Sequence, residues 1–391
     1  MATTGSSDGE AGTQWTALAG VTAALAMFGA AQGLSYPLFT LLMQRQGMSP
    51  ALIGLSAAMM PVGLILSASF VPAAVRLFGA RNLAVGCSLT GALCFLGIGY
   101  LQDWVAWFVI RFLVGVVINP LYVLGEVWAL SLAPPSRRGR VMGVFNALMG
   151  AGYAAGPLIL ITVGASGWPP FVAAIAGFAL CAVILRAVSS KLTGFEEDGQ
   201  ASGGLVGFAR LAPALLLAVL VAAAVQQSTY ALMPVFGSGY GLPEAKLAAL
   251  VTALSAGNIL LQIPLGLMAE RFGGRAMIVF CALATSACAL SLPFLITTPL
   301  VWPVLVVMGA VGYGVYTMAL VELGSRFKGT VLVAGNAAFA LMWGAGGIVG
   351  PPGAGALMQA IGPLGLPAVI AGLDALLIAF ALYRSASRKS S

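Results

Sequence analysis

An amide and a phenol one helical turn apart, Gln32 and Tyr36, recur as Gln226 and Tyr230 at an offset of 194 residues. Each pair sits mid-way along an apolar stretch, and residues four apart on a helix share a face. Polar groups in hydrocarbon are costly and turn toward protein or water. The four are therefore candidates to hydrogen-bond a polar solute. The competing role is to join helices, worth roughly 0.6 kcal/mol per bond. Gln227 adjoins the second pair. Arg111, Asn119 and Tyr122 share another apolar stretch, with Arg111 and Tyr122 eleven residues apart, close to three turns. The copy of that stretch has Tyr313 and Tyr316 at the last two positions, and Leu305 where Arg111 stands. Arg111 lies about 10 Å along the helix from Trp104, at 1.5 Å per residue. Its insertion costs about 2.5–3.5 kcal/mol, which a substrate carboxylate or phosphate, backbone carbonyls, or snorkelling would offset. Asn258, Asn336 and Trp343, with Asn146, complete the polar set.

The carboxylates divide by position. Glu126, Glu270 and Glu322 fall near the ends of apolar stretches, within reach of Arg81, Arg140, Arg271 and Arg275. That placement suits a latch more than a proton carrier. Asp374 is the carboxylate nearest a bilayer midplane. The chain has no histidine, no HExxH, no Walker lysine and no paired mid-membrane aspartates, so little remains from which to build an enzyme. Neither a metal nor a cofactor is expected. The five cysteines lie inside apolar stretches without CxxC spacing and read as packing residues.

These groups need long apolar helices to hold them. Charged residues make up 7% of the chain, against roughly a quarter in soluble domains, and the mean hydropathy is +1.01. Stretches of about 20 apolar residues cross a bilayer, and twelve are predicted: 16–43, 51–74, 82–101, 104–130, 141–164, 168–189, 211–236, 245–269, 276–297, 300–323, 331–358 and 363–384. The 194-residue offset carries at least seventeen identical pairs without a gap, among them Gly63/Gly257, Arg81/Arg275, Gly156/Gly350 and Pro157/Pro351. The chain thus reads as an all-α membrane protein of two six-helix bundles, 15–189 and 211–385. A solvated linker at 190–210 joins them, between a disordered tail at 1–14 and a short tail at 386–391. The tail at 1–14 lacks the basic start and cleavage site of a signal peptide. With both termini on one side, 15 of the 18 basic residues fall on that side, which marks it as cytoplasmic. The net charge of +7 is then a topology signal, and no nucleic-acid partner is implied.

Twelve helices in two halves resemble the major facilitator superfamily. Gly266-Leu-Met-Ala-Glu270-Arg271-Phe-Gly273-Gly-Arg275 is similar to that family's loop signature G-x-x-x-D-R-x-G-R. The first-half copy, Arg76-Leu-Phe-Gly79-Ala-Arg81, keeps Gly and Arg but sets Arg76 where Glu270 stands. Arg111-x-x-x-Gly115 is similar to the family's Arg-bearing motif on the fourth span. Gly152-Tyr-Ala-Ala-Gly156-Pro157 resembles its exporter-associated Gly-Pro motif, with Ile159 and Leu160 in place of the trailing glycines. The Glu126…Arg138-Gly139-Arg140 stretch resembles bacterial sugar or drug permeases. The resemblance implies a monomeric secondary transporter in the bacterial inner membrane, both termini cytoplasmic, that moves a small organic solute by alternating access. Spans 1, 4, 7 and 10 would line the cavity, bringing Gln32, Tyr36, Gln226 and Tyr230 together. Protons remain open as coupling ion and an anionic substrate as ligand of Arg111. A multidrug or amphipathic-compound exporter, or a lipid translocase, is the alternative.

Overall fold

The computed structural model describes residues 6–134, 138–189, 192 and 205–387. Among these, regular structure is helical throughout. The first six predicted spans correspond to α1 (Ser6–Arg45), α2 (Pro50–Ala68) continued by α3 (Val71–Phe78), α4 (Ala80–Tyr100), α5 (Trp104–Leu132), α6 (Arg138–Val163) and α7 (Pro169–Val188). A short α8 (Leu205–Leu211) leads into α9 (Pro213–Ser238), α10 (Glu244–Leu260) continued by α11 (Gln262–Phe272), α12 (Gly274–Leu295) and α13 (Val301–Arg326). The last two are α14 (Gly329–Ile361) and α15 (Gly365–Ser387), separated by a 3-10 turn at Gly362–Leu364. Among the described residues, ten stretches are long and apolar enough to cross a membrane, or eleven if α10 and α11 are one span. One of the ten, Ala334–Tyr383, contains both α14 and α15.

The spans read as continuous at 51–74 and 245–269 are each broken. The second bends by 47° at Leu261. Proline explains both breaks. Pro264 cannot donate to the carbonyl of Leu260, where α10 stops, and Pro72 cannot donate to that of Ala68, where α2 stops. Helix α1 is described from Ser6.

The chain divides into two compact units, Met1–Leu38 with Val62–Glu197, and Phe39–Pro61 with Asp198–Ser391. The repeated glycines are helix crossings within them. In the first unit a Cβ on Gly152 or Gly156 would lie 2.3 Å from the Ala26 carbonyl oxygen or 2.1 Å from the Leu34 nitrogen, so α6 lies directly against the backbone of α1. In the second unit Gly346 and Gly350 bring α14 as close to α9, at 2.4 Å from the Leu220 oxygen and 2.5 Å from that of Ala224. Without a hydrophobic drive between helices in lipid, small residues that admit backbone contact supply the association. The Gly-Pro sequence likened to an exporter motif thus has a packing role. Four of the five cysteines are buried and Cys288 is partly so.

Candidate functional site

Within the first unit three polar side chains of α5 are buried. Trp107, Arg111 and Asn119 are 1%, 2% and 6% exposed. Gln32 and Tyr36 of α1 are buried as well, and the Arg111 guanidinium and Tyr36 phenol lie within electrostatic reach of each other. Tyr122 packs edge-on against Phe28 at 5.0 Å, and Tyr36 stands 6.1 Å from the ring of Tyr153. The indole N–H of Trp107 and the amide Nδ2 of Asn119 have no hydrogen-bond partner among the described residues. Both are donors, and arginine offers only donors. Trp107, one turn before Arg111, escapes sequence reading because buried tryptophans are ordinary packing residues. Helix α5 thus carries a buried cation, and two further buried N–H groups without an acceptor among the described residues, about 6 Å before it and about 12 Å after it along the helix. Of the three, the guanidinium is the group that suits a carboxylate or phosphate.

Within the second unit a cavity of about 20 Å³ is lined by Gln226, Thr229, Tyr230, Thr285 and Tyr313 with apolar neighbours. That volume holds about one water. The Gln226 Oε1 atom is buried with no partner among the described residues. Ser255 donates to the Tyr230 hydroxyl at 3.2 Å. Gln227 is engaged in helix joining: its Nε2 donates to the Trp343 carbonyl at 3.1 Å, and the side chain fills the space a Cβ on Gly347 would need. Tyr313, Tyr316 and Trp343 form one aromatic cluster, with ring centroids 4.8–6.0 Å apart. Asn258 accepts from Gln262 Nε2 at 3.1 Å, and that group also donates to the Ala310 carbonyl at 3.2 Å. Thr317 donates to Gln262 Oε1 at 3.1 Å, so Gln262 ties the α10–α11 break to α13. Asn336 is exposed on α14. Gln262 and Thr317 were missed because neither has a polar counterpart at Ala68 or Val123 in the first copy.

The expected gate residues are partly joined. Glu322 accepts from Arg275 Nε at 2.9 Å and lies 3.6 Å from Arg326, tying α12 to α13. Glu270 and Arg271 are exposed; Glu270 makes no ion pair among the described residues, and Arg271 lies over the Phe272 ring at 5.6 Å. Arg81 donates to the Leu192 carbonyl, Glu126 is exposed on α5, and the side chain of Arg140 lies outside the described residues. The sequence reading also missed Arg45, whose Nε donates to Glu244 Oε1 at 2.7 Å, beside Gln44 donating to Ser238 at 2.7 Å. Both contacts lie within the second unit. The signal was available: the loops around Gly47 and Gly241 are repeat partners carrying opposite charges.

The profile of the Major Facilitator Superfamily matches residues 21–332 and 215–391. The chain is 24% identical over 350 residues to the uncharacterised MFS-type transporter YfkF of Bacillus subtilis (strain 168), covering 85% of this chain and 86% of that one. It is also 24% identical over 312 residues to the uncharacterised MFS-type transporter YcaD of Salmonella typhimurium (strain LT2), covering 78% of this chain and 80% of that one. The fold resembles crystal structures of the nucleoside transporter NupG, one of which has a TM-score of 0.75 at 12% identity, covering 96% of this chain and 98% of that one. A D-xylose-proton symporter gives 0.70 at 14% identity, covering 94% and 96%.

Proposed function

The chain belongs to the major facilitator superfamily, and is thus a multi-pass membrane transporter and not an enzyme; from that premise we propose that it carries a small organic solute bearing an anionic group across the bacterial inner membrane by alternating access. The observation that carries the reading is Arg111, a guanidinium 2% exposed on an apolar helix. A carboxylate or phosphate is the partner that a buried guanidinium binds most strongly, through charge-assisted hydrogen bonds. The bundles 15–189 and 211–385 are the moving parts, both termini are cytoplasmic, the transporter works as a monomer, and protons are the candidate coupling ion. Gln32, Tyr36, Gln226 and Tyr230 hydrogen-bond the rest of the solute, and Glu322 with Arg275 belongs to a cytoplasmic gate.

The second reading, an exporter of amphipathic compounds, draws on the Tyr313–Tyr316–Trp343 cluster, whose faces suit stacking on planar or apolar molecules. A lipid translocase is the third. A thermal-shift screen of the detergent-purified protein against carboxylates, phosphate esters, sugars, nucleosides and antibiotics separates them. A ligand at a hundred times its dissociation constant adds about 2.7 kcal/mol of apparent stability. Stabilisation by carboxylates or phosphate esters is the expected result. Stabilisation by neutral sugars or nucleosides alone removes the anionic group from the reading, and by antibiotics alone favours the exporter. Uptake of the stabilising compound into liposomes then completes the test.

A further inference from the structure

The two copies begin their third span in the same way. Helix α12 starts after Gly273, with φ 83° and ψ 148°, and α4 after Gly79, with φ 75° and ψ 144°; neither start has a side-chain cap. Each has an arginine at the second helical position, Arg275 and Arg81. In the second copy an acid fills the place. Glu322 Oε2 would lie 3.1 Å from a Cβ on Gly274, the first residue of α12, while Glu322 Oε1 binds Arg275. The carboxylate thus meets a helix N-terminus, where uncapped N–H groups and the helix dipole favour negative charge.

The first copy has the basic half without the acid. Trp128 stands at the position of Glu322. Beside the start of α4 there is instead a cavity of about 390 Å³ lined by Gly79, Arg81, Asn82, Val85, Arg186 and Ser189, with Ala80. Arg186 is new to this copy, since its repeat counterpart is Phe380. One Arg81 nitrogen donates to the Leu192 carbonyl and one Arg186 nitrogen to Ser189 at 3.2 Å; a guanidinium has five N–H groups, so most of these donors have no partner among the described residues. Away from the cavity the two helices that frame it expose apolar side chains, Leu89 and Leu93 on α4 and Leu180 and Val183 on α7. These helices pack together, with Ser88 donating to the Phe178 carbonyl at 2.7 Å.

We infer that this cavity binds the phosphate of an anionic phospholipid, held by Arg81, Arg186 and the N-terminus of α4, with the acyl chains along α4 and α7. The cavity lies at the end of the spans where the basic loops cluster, the side on which such pockets collect anionic headgroups. The lipid supplies from outside the negative charge that Glu322 supplies in the second copy. The site is distinct from the Arg111 site and does not depend on the transported solute.

The test is the melting temperature of the purified protein with phosphatidylglycerol, with phosphatidylcholine, and with inorganic phosphate, in the same detergent. Phosphatidylglycerol is expected to raise it by several degrees over phosphatidylcholine, with inorganic phosphate giving little. Arg81→Ala with Arg186→Ala should abolish the difference, while Lys246→Ala, an exposed charge elsewhere, should keep it. Asn82→Asp places a carboxylate at the helix N-terminus and should raise the phosphatidylcholine value while blunting the response to phosphatidylglycerol. A response that survives both the double variant and Asn82→Asp overturns the site. An equal response to inorganic phosphate, lost in the double variant, overturns the lipid and assigns a soluble oxyanion.

Discussion

Arginine and lysine carry the same charge in water, but only the guanidinium offers a planar fork to an oxyanion. Arg111→Lys should therefore weaken transport of an anionic solute by at least tenfold in affinity while the protein still folds. Arg111→Gln should go further and abolish it, with neutral compounds less affected. Affinity and melting temperature measured together decide the matter: lower stability at constant affinity would make Arg111 a packing residue. The sequence exposed Arg111, Asn119, Gln32 and Gln226 because a polar letter in an apolar stretch is conspicuous. It could not expose Trp107, whose indole is as common in cores as in sites and whose N–H matters only for want of an acceptor. Nor could it show that Gln227 is spent on the Trp343 carbonyl, because an amide reads the same whether it faces a solute or a neighbouring helix.

At the scale of the element, the helix break at Leu261 rests on two causes with different visibility. Pro264 is legible in the sequence and removes a backbone donor. The side-chain tie through Gln262 depends on α13 lying alongside, which no local pattern reports. Removing the tie should loosen the bend at modest cost. Hydrogen bonds between membrane helices average roughly 0.6 kcal/mol, so Gln262→Leu should cost about 1–2 kcal/mol and Thr317→Val about 0.6 kcal/mol. A double-mutant cycle on the unfolding free energy should return a coupling of about 0.6 kcal/mol. Coupling indistinguishable from zero would mean that the Gln262–Thr317 bond does not form in the membrane.

The whole molecule is held by crossings that admit no Cβ. On α14, Gly350 lies against the Ala224 backbone, whereas a Cβ on Gly353 would meet nothing within 4 Å. Gly350→Leu should prevent folding, read as loss of monodisperse protein after detergent extraction, and Gly353→Leu should be tolerated. Equal yields would show that the helices can part at this crossing. The repeat made the crossings findable, since Gly156/Gly350 and Pro157/Pro351 recur in register, but the partner helix of each was visible only in three dimensions. The twelve spans were legible because hydrocarbon demands long apolar helices; the assignment of 39–61 to the second unit was not, since unit membership is decided by contacts distant in sequence.

The position of Arg111 carries one more consequence. A transporter assembled from two identical six-helix products would be two-fold symmetric, and a guanidinium buried in one subunit would be buried in the other. The desolvation cost would double, and a solute with one charged end would meet two equal hosts for it. Joining the copies in one chain lets Leu305 occupy the second position, so only the first copy carries a guanidinium there. Under the proposed anionic-solute reading, a solute with a head and a tail would then enter in one orientation only, while the duplicated framework keeps paired glycines and prolines in both halves.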